Sequence, residues 1–259
     1  MLAASTPRAP VLAAVAPATL GRVYARTNYA FLFAPLFHPG MRYVAPIRRQ
    51  LPWRTLFNLV GPLANPVDVD GGPRVEARVV GVARRDLGPV FADALRMAGA
   101  AKAMVVCGAE DLDEISIAGP TLCWRLTEGP DGKTEIEHFE LTPEDFGVGT
   151  HPLTDVSPGK EPAENAKILN RILKDDMAAT DPILEFVLIN AAALFVISGI
   201  CEAETSDMGY GDDGAVIRER GPGGGRWKEG VRRARWALKS GEALRQWDQF
   251  VEVTNSLAS

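Results

Sequence analysis

The constraint that limits this chain most is an alternation between Glu76 and Ala109. EARVVGVA (76–83) is a short β-branched run. Arg85–Ala100 then places Leu87, Val90, Phe91, Ala94, Leu95 and Ala98 at helical spacing, and Gly99 supplies a stop. AKAMVVCGA (101–109) is a second buried strand. Strand, helix and strand with connections this short form a βαβ crossover, and a crossover of that kind demands a parallel pair. The expected class is therefore α/β, a parallel-sheet core with flanking helices. TLCWRLTEG and KTEIEHFEL add two strands joined around Pro130-Asp131-Gly132.

In an open parallel sheet, ligands bind beyond the carboxyl ends of the strands. Two segments emerge there, GVARRD and GAEDLDE. The second carries Glu110, Asp111, Asp113 and Glu114, which repel one another unless a cation or solvent screens them. Hard oxygen ligands at a strand end suit Mg²⁺, which keeps waters and bridges carboxylates to phosphates. An exposed acidic loop accounts for the same residues, and both readings stand at this point.

Upstream, FLFAPLFHPGMRYVAPIRRQLPWRTLFNLVGPLANP (31–66) is aromatic and apolar, holds Arg42, Arg48, Arg49 and Arg54, and has no acid. Such a segment packs against a core while its cations either face a cleft or form ordinary surface ion pairs. A guanidinium in a cleft suits carboxylate or phosphate, because its planar fork makes paired charge-assisted hydrogen bonds.

Composition narrows the function classes. A net charge of −5 argues against a nucleic-acid binder held by phosphate contacts. Cys107, Cys123 and Cys201 lie far apart, so a thiol zinc site is not indicated and a reducing compartment is. Ile183–Cys201 is long and apolar, but Glu185 and Asn190 interrupt it. Asp181-Pro182 before it is a helix-start signal, which favours a core helix over a membrane span. No acid precedes Asp68. Residues 1–30 read as a poorly ordered or atypical leader, with a transit peptide over residues 1–26 as the alternative. Residues 202–225 are polar and glycine-rich and read as a flexible, exposed insert. The basic run from Lys228 to Arg235 reads as a solvated helix face.

FLFAPLFHPGM, IRRQLPWRTLFNLVGPLANP and the Leu-Asp-Glu after the second strand resemble the signature of the anthranilate phosphoribosyltransferase family. The resemblance implies part of a nucleoside phosphorylase/phosphoribosyltransferase catalytic domain over residues 31–259. It also implies transfer of phosphoribose from phosphoribosyl pyrophosphate to anthranilate, in the cytoplasm (or a mitochondrion, if the leader is a transit peptide). Asp113 and Glu114 map onto the acidic pair that holds Mg²⁺ with diphosphate. Arg48 maps onto the anthranilate-contacting arginine, and Ala34, Pro35 and His38 onto the anthranilate channel. Glu164-Asn165-Ala166, Asn190-Ala191-Ala192 and Glu229-Gly230-Val231 match as structural segments. The family's glycine-rich diphosphate cradle and the helices that form its homodimer are not found upstream of Phe31. Two alternatives are therefore an incomplete or non-catalytic binding chain and a nucleoside phosphorylase of related fold.

Overall fold

In chain order the computed structural model contains α1 (Leu20–Tyr24), α2 (Ala34–Phe37), α3 (Met41–Arg48), β1 (Ala77–Gly81), α4 (Leu87–Met97), β2 (Lys102–Gly108), β3 (Thr121–Glu128) and β4 (Thr134–Leu141). The helices α5 (Pro162–Leu173), α6 (Pro182–Ser198), α7 (Trp227–Lys239) and α8 (Glu242–Ala258) follow. The structure describes residues 9–53, 55, 61–65, 67, 75–129, 131–156 and 161–258.

The chain divides into two units, Met1–Gly61 with Pro158–Asp176 and Ala237–Ser259, and Pro62–Ser157 with Met177–Trp236. This interleaved division differs from the expected boundary at residue 30.

The second unit is built on one sheet in the order β1-β2-β3-β4. β1 and β2 pair in parallel, as their short crossover requires, with Val79 opposite Met104. β3 and β4 extend the sheet antiparallel, so the sheet is mixed rather than parallel throughout. Their hairpin turn sits where the sequence marks it. Gly132 has φ +75°, and the Gly129 N–H donates to the Lys133 carbonyl at 2.8 Å.

Side chains alternate across the sheet. Val106 and Cys123 face a core shared with Ile189, Ala192, Ala193 and Val196 of α6. Val105 and Trp124 point the other way, where α4 lies. A Cβ on Gly88 would fall 2.2 Å from the Trp124 ring, so only glycine lets α4 approach so closely. β2 is covered on both faces, and its near-continuous apolar run follows from that. The buried face of α4 is Gly88, Phe91, Ala92 and Leu95; Val90, expected inward, is exposed.

α6 is the apolar run 183–201 realised as a core helix. Asp181 caps it by accepting from the Ile183 and Leu184 N–H groups, and Pro182 opens it. Among the described residues no helix is long and apolar enough to cross a membrane.

Two expectations are corrected in this region. The 202–225 segment has little regular structure, yet it is stitched down rather than free. The buried Arg226 guanidinium donates to the Cys201 and Ala203 carbonyls and to Glu204, and Trp227 Nε1 donates to the Pro222 carbonyl at 2.9 Å. Nor is α7 a solvated basic face. Arg233 is buried and, with Arg232, holds the fully buried Glu229. Position 230 suits glycine because a Cβ there would fall 2.7 Å from the Ala192 carbonyl oxygen.

In the first unit, Val15, Val23, Trp247, Phe250, Val251 and Val253 form a core flanked by Tyr29, Phe37, Leu169 and Leu173. Residues 9–30 are thus not a loose leader. Val15 and Val23 are completely buried, and the Thr27 hydroxyl donates to the Gln246 carbonyl at 3.0 Å. Composition hides this because the partner is α8, at the other end of the chain.

Candidate functional site

The acidic loop is built by backbone. After β2, the Gly108 N–H donates to the Leu112 carbonyl at 2.8 Å and the Asp111 N–H to the Gly108 carbonyl at 3.0 Å. Asp111 takes a left-handed conformation, φ +57°, to close this turn. The Asp113 carbonyl then comes down onto Gly81 at the end of β1. A Cβ on Gly81 would lie 1.7 Å from that oxygen.

The four carboxylates separate into two sets. Glu110 Oε1 accepts from the Ser116 hydroxyl at 3.2 Å. Asp111 faces Arg85 at 4.0 Å, and Arg85 also donates to the Ala109 carbonyl. Asp113 and Glu114 are exposed, and among the described residues neither side chain has a hydrogen-bond or ion-pair partner. Partial desolvation, and then the Asp113 charge beside it, push the Glu114 carboxyl above its ordinary range.

Two adjacent carboxylates with free oxygens fit Mg²⁺, a cation that completes its shell with water and substrate phosphate. They would not fit a metal that needs a dedicated protein cage. Among the described residues no group of three or more His, Cys, Asp or Glu side chains is placed to hold an ion.

Gly81→Ala tests how tightly this loop is seated. Forcing a methyl against backbone should cost about 1–3 kcal/mol in urea denaturation. Gly119→Ala, whose Cβ would meet Glu110 at an ordinary 3.6 Å, should stay within about 0.5 kcal/mol. Equal, small losses would show that the Gly81 contact does not hold the loop.

The other proposed residues lie in the first unit. Ala34 and Pro35 open α2, and His38 caps its end, with its N–H donating to the Ala34 carbonyl at 2.9 Å. The His38 carbonyl accepts from the Met41 N–H as α3 begins. Arg48 is the last residue of α3 and is half-buried; among the described residues its side chain makes no hydrogen bond or ion pair. Arg42 instead lies over the Tyr43 ring at 4.7 Å. Arg54 lies outside the described residues. Phe31, Phe33, Tyr43 and Trp53 are exposed around this helical pair.

Over residues 11–244 the chain matches the family described as "Glycosyl transferase family, a/b domain". The chain belongs to this glycosyl transferase family. The family match starts at residue 11, ahead of the recognisable motifs, in the segment whose valines are buried.

The chain is 38% identical over 240 residues to the anthranilate phosphoribosyltransferase of Schizosaccharomyces pombe. It is 34% identical over 244 residues to that of Rubrobacter xylanophilus. These alignments cover 93% and 94% of this chain but only 58% and 60% of those proteins. Among solved structures it is similar to the Saccharomyces cerevisiae anthranilate phosphoribosyltransferase in complex with PRPP and Mg, with a TM-score of 0.76 and 29% identity over 94% of this chain and 59% of that one. The same yeast protein in complex with 4-fluoroanthranilate gives a TM-score of 0.77 at 29% identity, covering 95% and 60%.

The sequence places four carboxylates after β2 but does not show what holds that loop, Gly81, Arg85 and Ser116. Asn190 was visible as a polar residue inside an apolar run.

Proposed function

We propose that this chain carries the chemistry of an anthranilate phosphoribosyltransferase. It would move phosphoribose from phosphoribosyl pyrophosphate to anthranilate, giving N-(5-phosphoribosyl)anthranilate and diphosphate. The observation that carries this reading is the pair of carboxylates, Asp113 and Glu114, unpartnered among the described residues, on a loop seated at the carboxyl ends of β1 and β2. The named relatives and the ligands of the yeast structures support it.

Asp113 and Glu114 are the residues that would hold Mg²⁺, which supplies electrostatic stabilisation of the charge building on diphosphate. The anthranilate amine is a neutral nucleophile, so the protein's work on that side is positioning. Arg48, ending α3 without a carboxylate partner among the described residues, is the group we assign to the anthranilate carboxylate. Ala34, Pro35 and His38 would line the approach, their positions fixed by the turn of α2. We place the enzyme in the cytoplasm, a setting in keeping with three free buried cysteines.

The direct experiment follows loss of anthranilate fluorescence by the 259-residue chain with phosphoribosyl pyrophosphate and Mg²⁺. Anthranilate binding by the chain, with turnover that chelation abolishes once the glycine-rich diphosphate cradle is supplied, is the expected result. Folded protein that neither turns over nor binds anthranilate would overturn the proposal. On the same footing, Arg48→Ala should weaken anthranilate binding in a fluorescence titration by about 1.5–3 kcal/mol, the worth of a charge-assisted hydrogen bond. Unchanged affinity would remove Arg48 from the site.

A further inference from the structure

Because among the described residues nothing holds the side chain of Asp113 or Glu114, the placement of both depends on how the backbone is gripped around them. On the N-terminal side the grip is the Gly108–Leu112 bridge and the seat on Gly81. On the C-terminal side the next residue is Ile115, completely buried, where the chain leaves the loop. Its N–H donates to Asn190 Oδ1 at 2.9 Å, and its carbonyl accepts from Asn190 Nδ2 at 3.2 Å. Asn190 Nδ2 also donates to the Phe186 carbonyl at 3.0 Å, one turn back along α6.

One side-chain amide therefore does for Ile115 what a neighbouring strand would do. It satisfies donor and acceptor of the same residue at once, and ties them to α6, a core helix of the unit. Nothing in packing alone calls for an amide here, since the neighbouring positions Ile189, Ala192 and Ala193 are apolar and buried. An aliphatic residue would fill the space and leave two buried backbone groups unpaired.

We infer that Asn190 is a positioning residue for the acidic pair, acting through the Ile115 backbone to present Asp113 and Glu114 to a divalent cation. The inference rests on the reading of that pair given above. Supports of a metal ligand typically cost 10–100-fold in metal affinity when removed. Asn190 acts one residue away from the ligands, so the lower end, about tenfold, is the expected loss.

The test is Mn²⁺ binding to the full chain, read as loss of the free-ion electron paramagnetic resonance signal. Wild type, Asn190→Ala, Asn190→Ser and Asp113→Asn/Glu114→Gln would be compared. Phe146→Leu, a core substitution in the same unit, serves as a stability control. The expected outcome is binding by wild type, none by the double variant, and about tenfold weaker binding by the Asn190 variants. Phe146→Leu should lower the melting temperature without moving Mn²⁺ affinity. If Asn190→Ala does not fold, Asn190→Ser, which keeps a short polar group, decides. Folded Asn190 variants that bind Mn²⁺ as wild type does would overturn the inference and leave the acidic pair standing. Equal loss in Phe146→Leu would reduce Asn190 to general stability and overturn it too. A wild-type chain that binds no Mn²⁺ would overturn the reading of the pair, and the inference with it.

Discussion

Asp113→Asn combined with Glu114→Gln should abolish Mg²⁺-dependent consumption of anthranilate, a loss of at least about 10²–10³-fold in rate. Both substitutions keep the shape of the side chain and remove only the charge. The loop should survive them, because among the described residues no ion pair uses either carboxylate. Gly81, the Gly108–Leu112 bridge and Asn190 hold its backbone instead. The expected signature is therefore specific: unchanged melting temperature, unchanged anthranilate binding, and no response to Mg²⁺. Relief of repulsion between adjacent carboxylates should even raise stability slightly, since the Glu114 carboxyl is already pushed up by partial desolvation and by Asp113. Turnover in the double variant that still rises with Mg²⁺ would place the cation elsewhere. The substitution of Glu110 is a useful contrast. That carboxylate is tied to Ser116, and its loss should act through loop stability rather than through the metal.

Local pattern made the β1-α4-β2 unit legible, since each element has its own periodicity and the connections are too short for another topology. The position of the acidic loop was legible for the same reason, being set by the strand that precedes it. Long-range pairings were not. Val15 and Val23 look like part of a proline- and alanine-rich leader until α8 is brought to them. Arg232 and Arg233 look like solvent-facing cations because Glu229, their partner on the same helix, gives no sign in sequence of being buried. Gly81 is an unremarkable glycine in a strand until the Asp113 carbonyl lands on it. In each case the missing information is the identity of a neighbour far along the chain or on a hidden face. Period and composition do not encode that.

Glu229→Gln should be the most destabilising single substitution outside the site, costing about 3–5 kcal/mol in chemical denaturation. Glu229 is fully buried and accepts from Arg232 Nε at 2.7 Å, Arg232 Nη2 at 2.8 Å, Arg233 Nε at 2.8 Å and the Ile217 N–H at 3.0 Å. Arg232 in turn reaches Asp212 at 3.2 Å and Ser206 at 2.8 Å. One carboxylate thus bridges two guanidinium groups, with Asp212 supplying the second negative charge, and fastens the 202–225 segment to α7. A glutamine would leave the buried Arg233 without a counter-charge, and one of its nitrogens already lacks a partner. Burial pushes the Glu229 carboxyl up, but the hydrogen bonds from Arg232 and Ile217 and the charges of Arg232 and Arg233 outweigh it and hold the group below its ordinary value. Asp212, held by the Met208 N–H and by Ser206 and Arg232, is brought down to about 2. A carboxylate with a depressed folded-state pKa contributes stability that is present above its unfolded pKa and lost as pH falls through the folded one. The network should therefore hold at neutral pH and weaken below about pH 4.5, where the unfolded chain begins to bind protons and the native network resists them. Limited proteolysis gives a second readout: cleavage within 202–225 should accelerate in Glu229→Gln at pH 7 and in the wild type only under acid. Glu229→Met with Arg233→Met removes the buried pair together and should recover part of the lost stability, because no lone charge is then left inside. If the single and double substitutions are equally destabilising, the cost is one of packing and the ion-pair account fails.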